Sequence, residues 1–361
     1  MKCIVHIGTE KTGTTTIQHF LNSNKKTLSH LGYLYPIIDS NHHVNLSVAA
    51  YAVDRRDDLT RFRRLYTNED LTKYQKKVIK KYTKELKKAQ SFKATIFSSE
   101  HFQSRLTTHS ELLQLKTLLN NFGYQDIQIL VYLRRPVDLA NSLYSTAIKC
   151  GATNAYPPSP KNEQWRNICD HQSTLIRFAA VFGEQAIIPR IYSKEEFEHN
   201  SLIADFLASI NIKQTEDLFT IPKNQNERLS VVGLEILRRV NQRIPVFIDE
   251  QPNKLRTGLI SYFSNYFKGG SAYMMPEELF YEYQKEFASS NEWVRKKYFP
   301  EKDCLFSKAV YPENFQISLN EDELKRIANM IASIWIDKQK QLNVKKPLIP
   351  RFSMNLEHGR R

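Results

Sequence analysis

"KCIVHIGTEKTGTTTIQHFLNSN", residues 2–24, runs an apolar β-branched stretch, a glycine loop and a helical pattern together without a break. Residues 2–8 read as a buried strand that stops at Gly8. Past the loop, Ile17, Phe20 and Leu21 recur at helical spacing, and Asn22 to Asn24 supply a stop. Strand, glycine loop and helix is the order in which backbone N–H groups and a helix dipole converge on an anion.

Working outward, "ATIFSSE" (94–100) and "IQILVYLRRP" (127–136) are two further apolar runs with few polar interruptions, as in a parallel sheet covered on both faces. Each precedes a helical pattern, "SELLQLKTLLNNFG" and "PVDLANSLYSTAIKCG". "LGYLYP" (31–36) reads as a short extended piece, and "NHHVNLSVAAY" (41–51) as a helix with Asn41 near its cap. A lysine-rich amphipathic helix runs from Asn68 to Gln90, and a helix from Trp165 to Phe182 leads to "AIIPRIY" (186–192), a strand whose Pro189 points to an edge. The alternation predicts an α/β fold, a P-loop-type parallel sheet flanked by helices with a helical C-terminal portion. We divide it at 1–200, the α/β core, and 201–361, mainly helical and packed on that core.

The 361 residues are 41% hydrophobic and 25% charged, the balance of a soluble globular protein. No stretch reaches the roughly 18–20 apolar residues of a membrane span, and the N-terminus lacks a signal-peptide layout, so a cytoplasmic location is expected. Cys3, Cys150, Cys169 and Cys304 have no ligand or disulfide spacing and read as reduced thiols; no metal site is expected. A net charge of +14 favours polyanionic partners without choosing among them. On the lysine-rich helix the charges read as a solvated face rather than a nucleic-acid surface.

Gly8 and Gly13 have the spacing of a Walker loop, but Thr14 stands where that loop has lysine, and Lys11 lies inside it. Alone, such a loop is equally a glycine turn capped by threonine. The full string "KTGTT" after an apolar strand resembles the 5′-phosphosulfate loop of sulfotransferases that use 3′-phosphoadenosine 5′-phosphosulfate (PAPS), where the lysine precedes the glycine. That resemblance calls for an arginine and a serine eight residues apart after a later strand. "VYLRRPVDLANSLY" supplies them as Arg134 and Ser142, with Pro136 opening the helix. The resemblance spans about 2–24 and 94–150. "NQNERLSVVGLEILRRVN" adds a looser likeness to bacterial carbohydrate-type enzymes, with Asn226 and Arg228 near the nucleotide.

The resemblance implies that Lys11, Thr12, Gly13, Thr14, Thr15 and Thr16 hold the 5′-phosphosulfate while Arg134 and Ser142 hold the 3′-phosphate. Lys11 would stabilise the leaving 5′-phosphate, with 3′-phosphoadenosine 5′-phosphate (PAP) as product and no metal required. "SSE" follows its strand with serines where a Walker-B strand ends in a magnesium-binding aspartate. The acceptor hydroxyl needs a base; family members use a glutamate or a histidine, one after a "YP" segment such as Tyr35-Pro36. Glu100 and His43 are favoured, with His42 and His101 as alternatives. The acceptor implied is a carbohydrate or polysaccharide, acidic glycans included, in a bacterial setting; no nucleic-acid partner is expected. The rivals are a metal-dependent small-molecule kinase and a non-enzymatic polyanion-binding protein.

Overall fold

The computed structural model describes residues 1–38, 40, 42–213, 218–222, 228–313 and 319–343. Asn41 and Asn226 lie outside them. Five parallel strands form the sheet: β1 (Lys2–His6), β2 (Tyr33–Leu34), β3 (Ala94–Ser98), β4 (Asp126–Leu133) and β5 (Ile187–Ile191), in the order β2-β3-β1-β4-β5. Val5 sits at the centre, paired with Phe97 on one side and Ile129 on the other.

Side-chain alternation along β1 divides the core. Cys3, Val5 and Ile7 join Phe97, Ile129, Leu175 and Phe178 on one face, under the helices Asn68–Glu85, His109–Asn121 and His171–Phe182. Ile4 joins Ile96, Leu130 and Tyr132 on the other, under the helices Thr14–Ser23 and Leu202–Ser209. Strands buried on both faces cannot alternate apolar with polar, which is why their sequences read as continuous apolar runs.

The expected elements recur with local differences. β5 is the edge strand that Pro189 requires. The helix expected over 165–182 is two, Glu163–Cys169 and His171–Phe182, because the carboxylate of Asp170 accepts from the Ser173 N–H at 3.1 Å and caps a new start. The lysine-rich helix ends at Glu85 and tightens into a 3₁₀ turn, Leu86–Ser91. The helix near His43 spans Val44–Ala49.

Beyond residue 210 two helices lie against the outer face of Pro136–Lys149, while Ala288–Tyr298 packs on His171–Phe182. Tyr144 and Ile148 pack with Leu234 and Leu237 of Val231–Arg243, and Val137 and Leu143 with Phe280 and Tyr283 of Glu277–Glu286. A hairpin that the sequence did not announce, Phe247–Ile248 with Gln251–Pro252, turns on Asp249 and Glu250, both at positive φ. No helix among the described residues is long and apolar enough to cross a membrane.

Candidate active site

The loop after β1 is tied into the sheet's C-terminal edge. Thr9 N–H donates to the Tyr132 carbonyl at 3.0 Å, and the Thr12 hydroxyl donates to the Thr9 carbonyl at 2.6 Å. Gly8 has φ 97°, and a Cβ there would lie 3.2 Å from Cα and Cβ of Glu100, so only glycine lets the loop pack against the end of β3. Gly13, at φ 72°, precedes the helix Thr14–Ser23 without a side-chain cap. Its first-turn N–H groups therefore have no side-chain cap, the state in which a helix start can receive an anion.

Lys11 is held at φ 62°, a conformation that L side chains avoid. Its carbonyl accepts from Arg134 Nη1 at 2.8 Å, and the Arg134 carbonyl is bonded in turn to His171 Nε2 at 2.7 Å. The Arg134 guanidinium also sits 5.6 Å from the ring centre of Tyr192, at the end of β5.

These groups line a cavity of about 400 Å³. Lys11, Gly13, Thr14 and Thr15 come from the loop and helix start, Arg134 from the end of β4, and Glu100 and His101 from the end of β3. Ser142, Ser145, Thr146 and Lys149 form one stripe of the helix Pro136–Lys149, spaced i, i+3, i+4, i+7. Arg228 and Tyr192 close it. Four cations thus face two carboxylates, Glu10 and Glu100. Burial, then Lys149 and Arg134, push the Lys11 ammonium below its ordinary pKa, partly opposed by Glu10 and Glu100. Burial likewise lowers Arg134 and Lys149. Crowded, desolvated cations at a helix N-terminus are the arrangement that a bound polyanion relieves. A larger cavity of about 620 Å³, between residues 154–159 and 276–282, carries no cation in its wall.

Glu100 lies at the foot of this cavity. Its Oε2 accepts from Gln18 Nε2 at 3.0 Å; Ser98 Oγ lies 3.4 Å from the same nitrogen and 2.8 Å from His6 Nδ1. Burial works to raise the carboxyl, but His101, its own backbone N–H, Gln18 and His42 outweigh it and hold it below the usual carboxylate range. The hydrogen bond from Gln18 fixes the orientation of this carboxylate.

The sequence-derived residues separate here. Thr12 spends its hydroxyl inside the loop, and neither it nor Thr16 lines the cavity. His43 departs from the role expected of it: 1% exposed, it accepts from Ser98 N–H through Nδ1 at 3.0 Å and is bonded to the Pro36 carbonyl through Nε2 at 2.9 Å. With both nitrogens engaged, it pins the 33–36 segment to β3 instead of facing an acceptor. His42 is half-buried beside Glu100 but outside the cavity wall; burial, His101 and Arg63 lower its pKa against the pull of Glu100. His101 reaches the cavity. Sequence reasoning passed over Glu10, Tyr192 and the stripe Ser145, Thr146, Lys149; the helical spacing from Ser142 was the signal for the last three. Among the described residues no group of three or more His, Cys, Asp or Glu side chains is placed to hold a metal.

The fold and cavity define the class: a parallel α/β protein with a phosphate-type loop at the sheet's C-terminal edge. No family model matches the chain, and no curated protein matches it in sequence. Among solved structures it is similar to a sulfotransferase from Alicyclobacillus acidocaldarius (16% identity, TM-score 0.38, covering 66% of this chain and 92% of that one). It is also similar to a chain of the PezAT chromosomal toxin–antitoxin system of Streptococcus pneumoniae (14% identity, TM-score 0.30, covering 67% and 84%).

Proposed function

We propose that the protein is a PAPS-dependent sulfotransferase acting on a carbohydrate hydroxyl. The observation that carries this reading is the meeting of two distant motifs in one cationic cavity: Lys11 and the first turn of Thr14–Ser23 beside Arg134 and Ser142. In it, the uncapped helix start and the hydroxyls of Thr14 and Thr15 receive the 5′-phosphosulfate, and Arg134 and Ser142, helped by Lys149 and Arg228, receive the 3′-phosphate.

Glu100 takes the proton of the acceptor hydroxyl as that oxygen forms its bond to sulfur. The sulfur–oxygen bond to the 5′-phosphate breaks in line, its electron pair staying on the phosphate oxygen, and Lys11 compensates that charge. PAP and a sulfate ester leave. Gln18 orients the base, Thr12 stiffens the loop, and His43 braces β3.

The test is thermal denaturation with nucleotides. PAP at about 100 times its Kd should stabilise the protein by about 2.7 kcal/mol without magnesium, and incubation with PAPS and glycans should add sulfate by mass. Stabilisation only by ATP with magnesium would replace this reading by a kinase, and none by either nucleotide by a polyanion-binding protein.

A further inference from the structure

A second cavity, of about 530 Å³, opens beside the first. The short helix His101–Arg105 joins them: His101 lines the cationic cleft, whereas Ser104 and Arg105 line the second cavity. Glu10, in the cleft wall, acts electrostatically on Arg105, and Cys150 senses Lys11, Glu10, Asp58 and Arg105 together. The second cavity is therefore one helix turn from Glu100.

The side chains that line it are all charged or polar, which suits a hydroxylated acceptor. Its cations are already committed. Arg105 Nη1 lies 2.7 Å from Asp58 and 3.7 Å from Asp57, and Arg55 Nη1 contacts both carboxylate oxygens of Glu111 at 2.9 Å. Glu163 has no ion pair among the described residues. Three carboxylates, Asp57, Asp58 and Glu163, thus face two arginines that have no charge to spare for a uronate or a sulfate. What remains on offer is hydrogen bonding: carboxylate lone pairs and the amide of Asn167. Ser104, 8% exposed, and Arg105 contribute to the wall, but Ser104 Oγ and Arg105 Nε are themselves shielded from solvent.

We infer that this cavity is the acceptor subsite and that it takes an uncharged, polyhydroxylated saccharide in preference to an acidic glycan. The inference rests on the sulfotransferase reading and narrows it. The chain's +14 charge then serves the nucleotide, not the acceptor. A saccharide hydroxyl projecting toward Glu100 gives up its proton there and gains the sulfuryl group from PAPS, leaving PAP.

The full chain, with PAPS, is offered two neutral probes, chitotriose and maltotriose, and two acidic ones, trigalacturonate and a hyaluronan tetrasaccharide, with sulfate incorporation read by mass. The expected result is a kcat/KM at least tenfold higher for a neutral probe. Glu163→Lys, at the first position of the helix Glu163–Cys169, and Asn167→Ala, within it, should raise KM for that probe several-fold while PAP binds as before. Faster sulfation of the acidic probes, sulfation of none while PAP binds, or acceptor KM within twofold of wild type in both variants overturns the subsite. Failure of PAP to bind defeats the sulfotransferase reading itself, and calorimetry with PAP separates the two failures.

Discussion

Arg134, at the end of β4, donates to the backbone carbonyl of Lys11 at 2.8 Å and so holds the loop that follows β1. The residue proposed to hold the 3′-phosphate also sets the turn that carries Lys11. Arg134→Ala removes a charge-assisted hydrogen bond, worth about 1.5–3 kcal/mol, together with a ligand contact. PAP binding by calorimetry should weaken by roughly 10- to 100-fold. Arg134→Lys should recover little of this, because an ammonium lacks the fork that spans loop and ligand.

Lys11 combines two local penalties, a left-handed backbone and a desolvated ammonium near Lys149 and Arg134. Such penalties persist where function requires them. Lys11→Gly should therefore keep or raise the melting temperature, since glycine adopts φ 62° without strain. The same variant should lose about 10²- to 10³-fold in kcat for sulfate transfer, as when one charge-stabilising donor is removed from a leaving oxygen. Near-normal kcat in Lys11→Gly would falsify the role given to Lys11.

What could be read from the sequence was local. β1, its loop and the helix after it are contiguous, and Arg134 and Ser142 belong to one strand–helix junction, so the resemblance of two short motifs was enough to reach them. Arg228 was reached only through a looser likeness around 224–241, and Tyr192 enters the cavity from the end of β5 with nothing near it to mark it as a ligand. The hairpin at 247–252 was silent because its turn uses Asp249 and Glu250 at positive φ in place of the usual Asn-Gly. His43 shows the opposite failure: its sequence context suggested a base, but its ring nitrogens are consumed by Ser98 and Pro36, which only the folded chain reveals. The break at Asp170 was written in the sequence as a capping aspartate inside a helical pattern.

Gln18 donates to Glu100 at 3.0 Å and helps hold its carboxyl ionised. The groups facing that carboxylate are His101, His42 and Gln18, with Lys11, Tyr35 and His6 in its wider field. A base with a lowered pKa stays active until the pH falls beneath the usual carboxylate range, so the acid limb of kcat/KM should lie low. Gln18→Leu removes a donor that favours the charged form, and the limb should move to higher pH. Gln18→Glu should move it further by adding a like charge. An acid limb unchanged in both variants, with Glu100→Gln inactive, would show that Gln18 only packs.

His6 supplies a stability signature independent of catalysis. Wholly buried, edge-on to Tyr132 and Phe206, it is held neutral, with its pKa lowered from 6.5 to about 4 by burial against a small opposing pull from Glu100. Between these pH values the unfolded chain binds more protons than the folded one, so stability rises with pH across that window. Its contribution is complete above pH 6.5 and is lost as the pH falls toward 4. The full loss is about 3 kcal/mol, since each pH unit of that window is worth about 1.4 kcal/mol. His6→Asn keeps a polar partner for the Ser98 hydroxyl but cannot titrate. Urea melts at pH 7 and at pH 4.5 should show a smaller drop in stability for this variant than for the wild type, by about 2 kcal/mol. Equal drops would mean that His6 does not stay neutral in the folded protein.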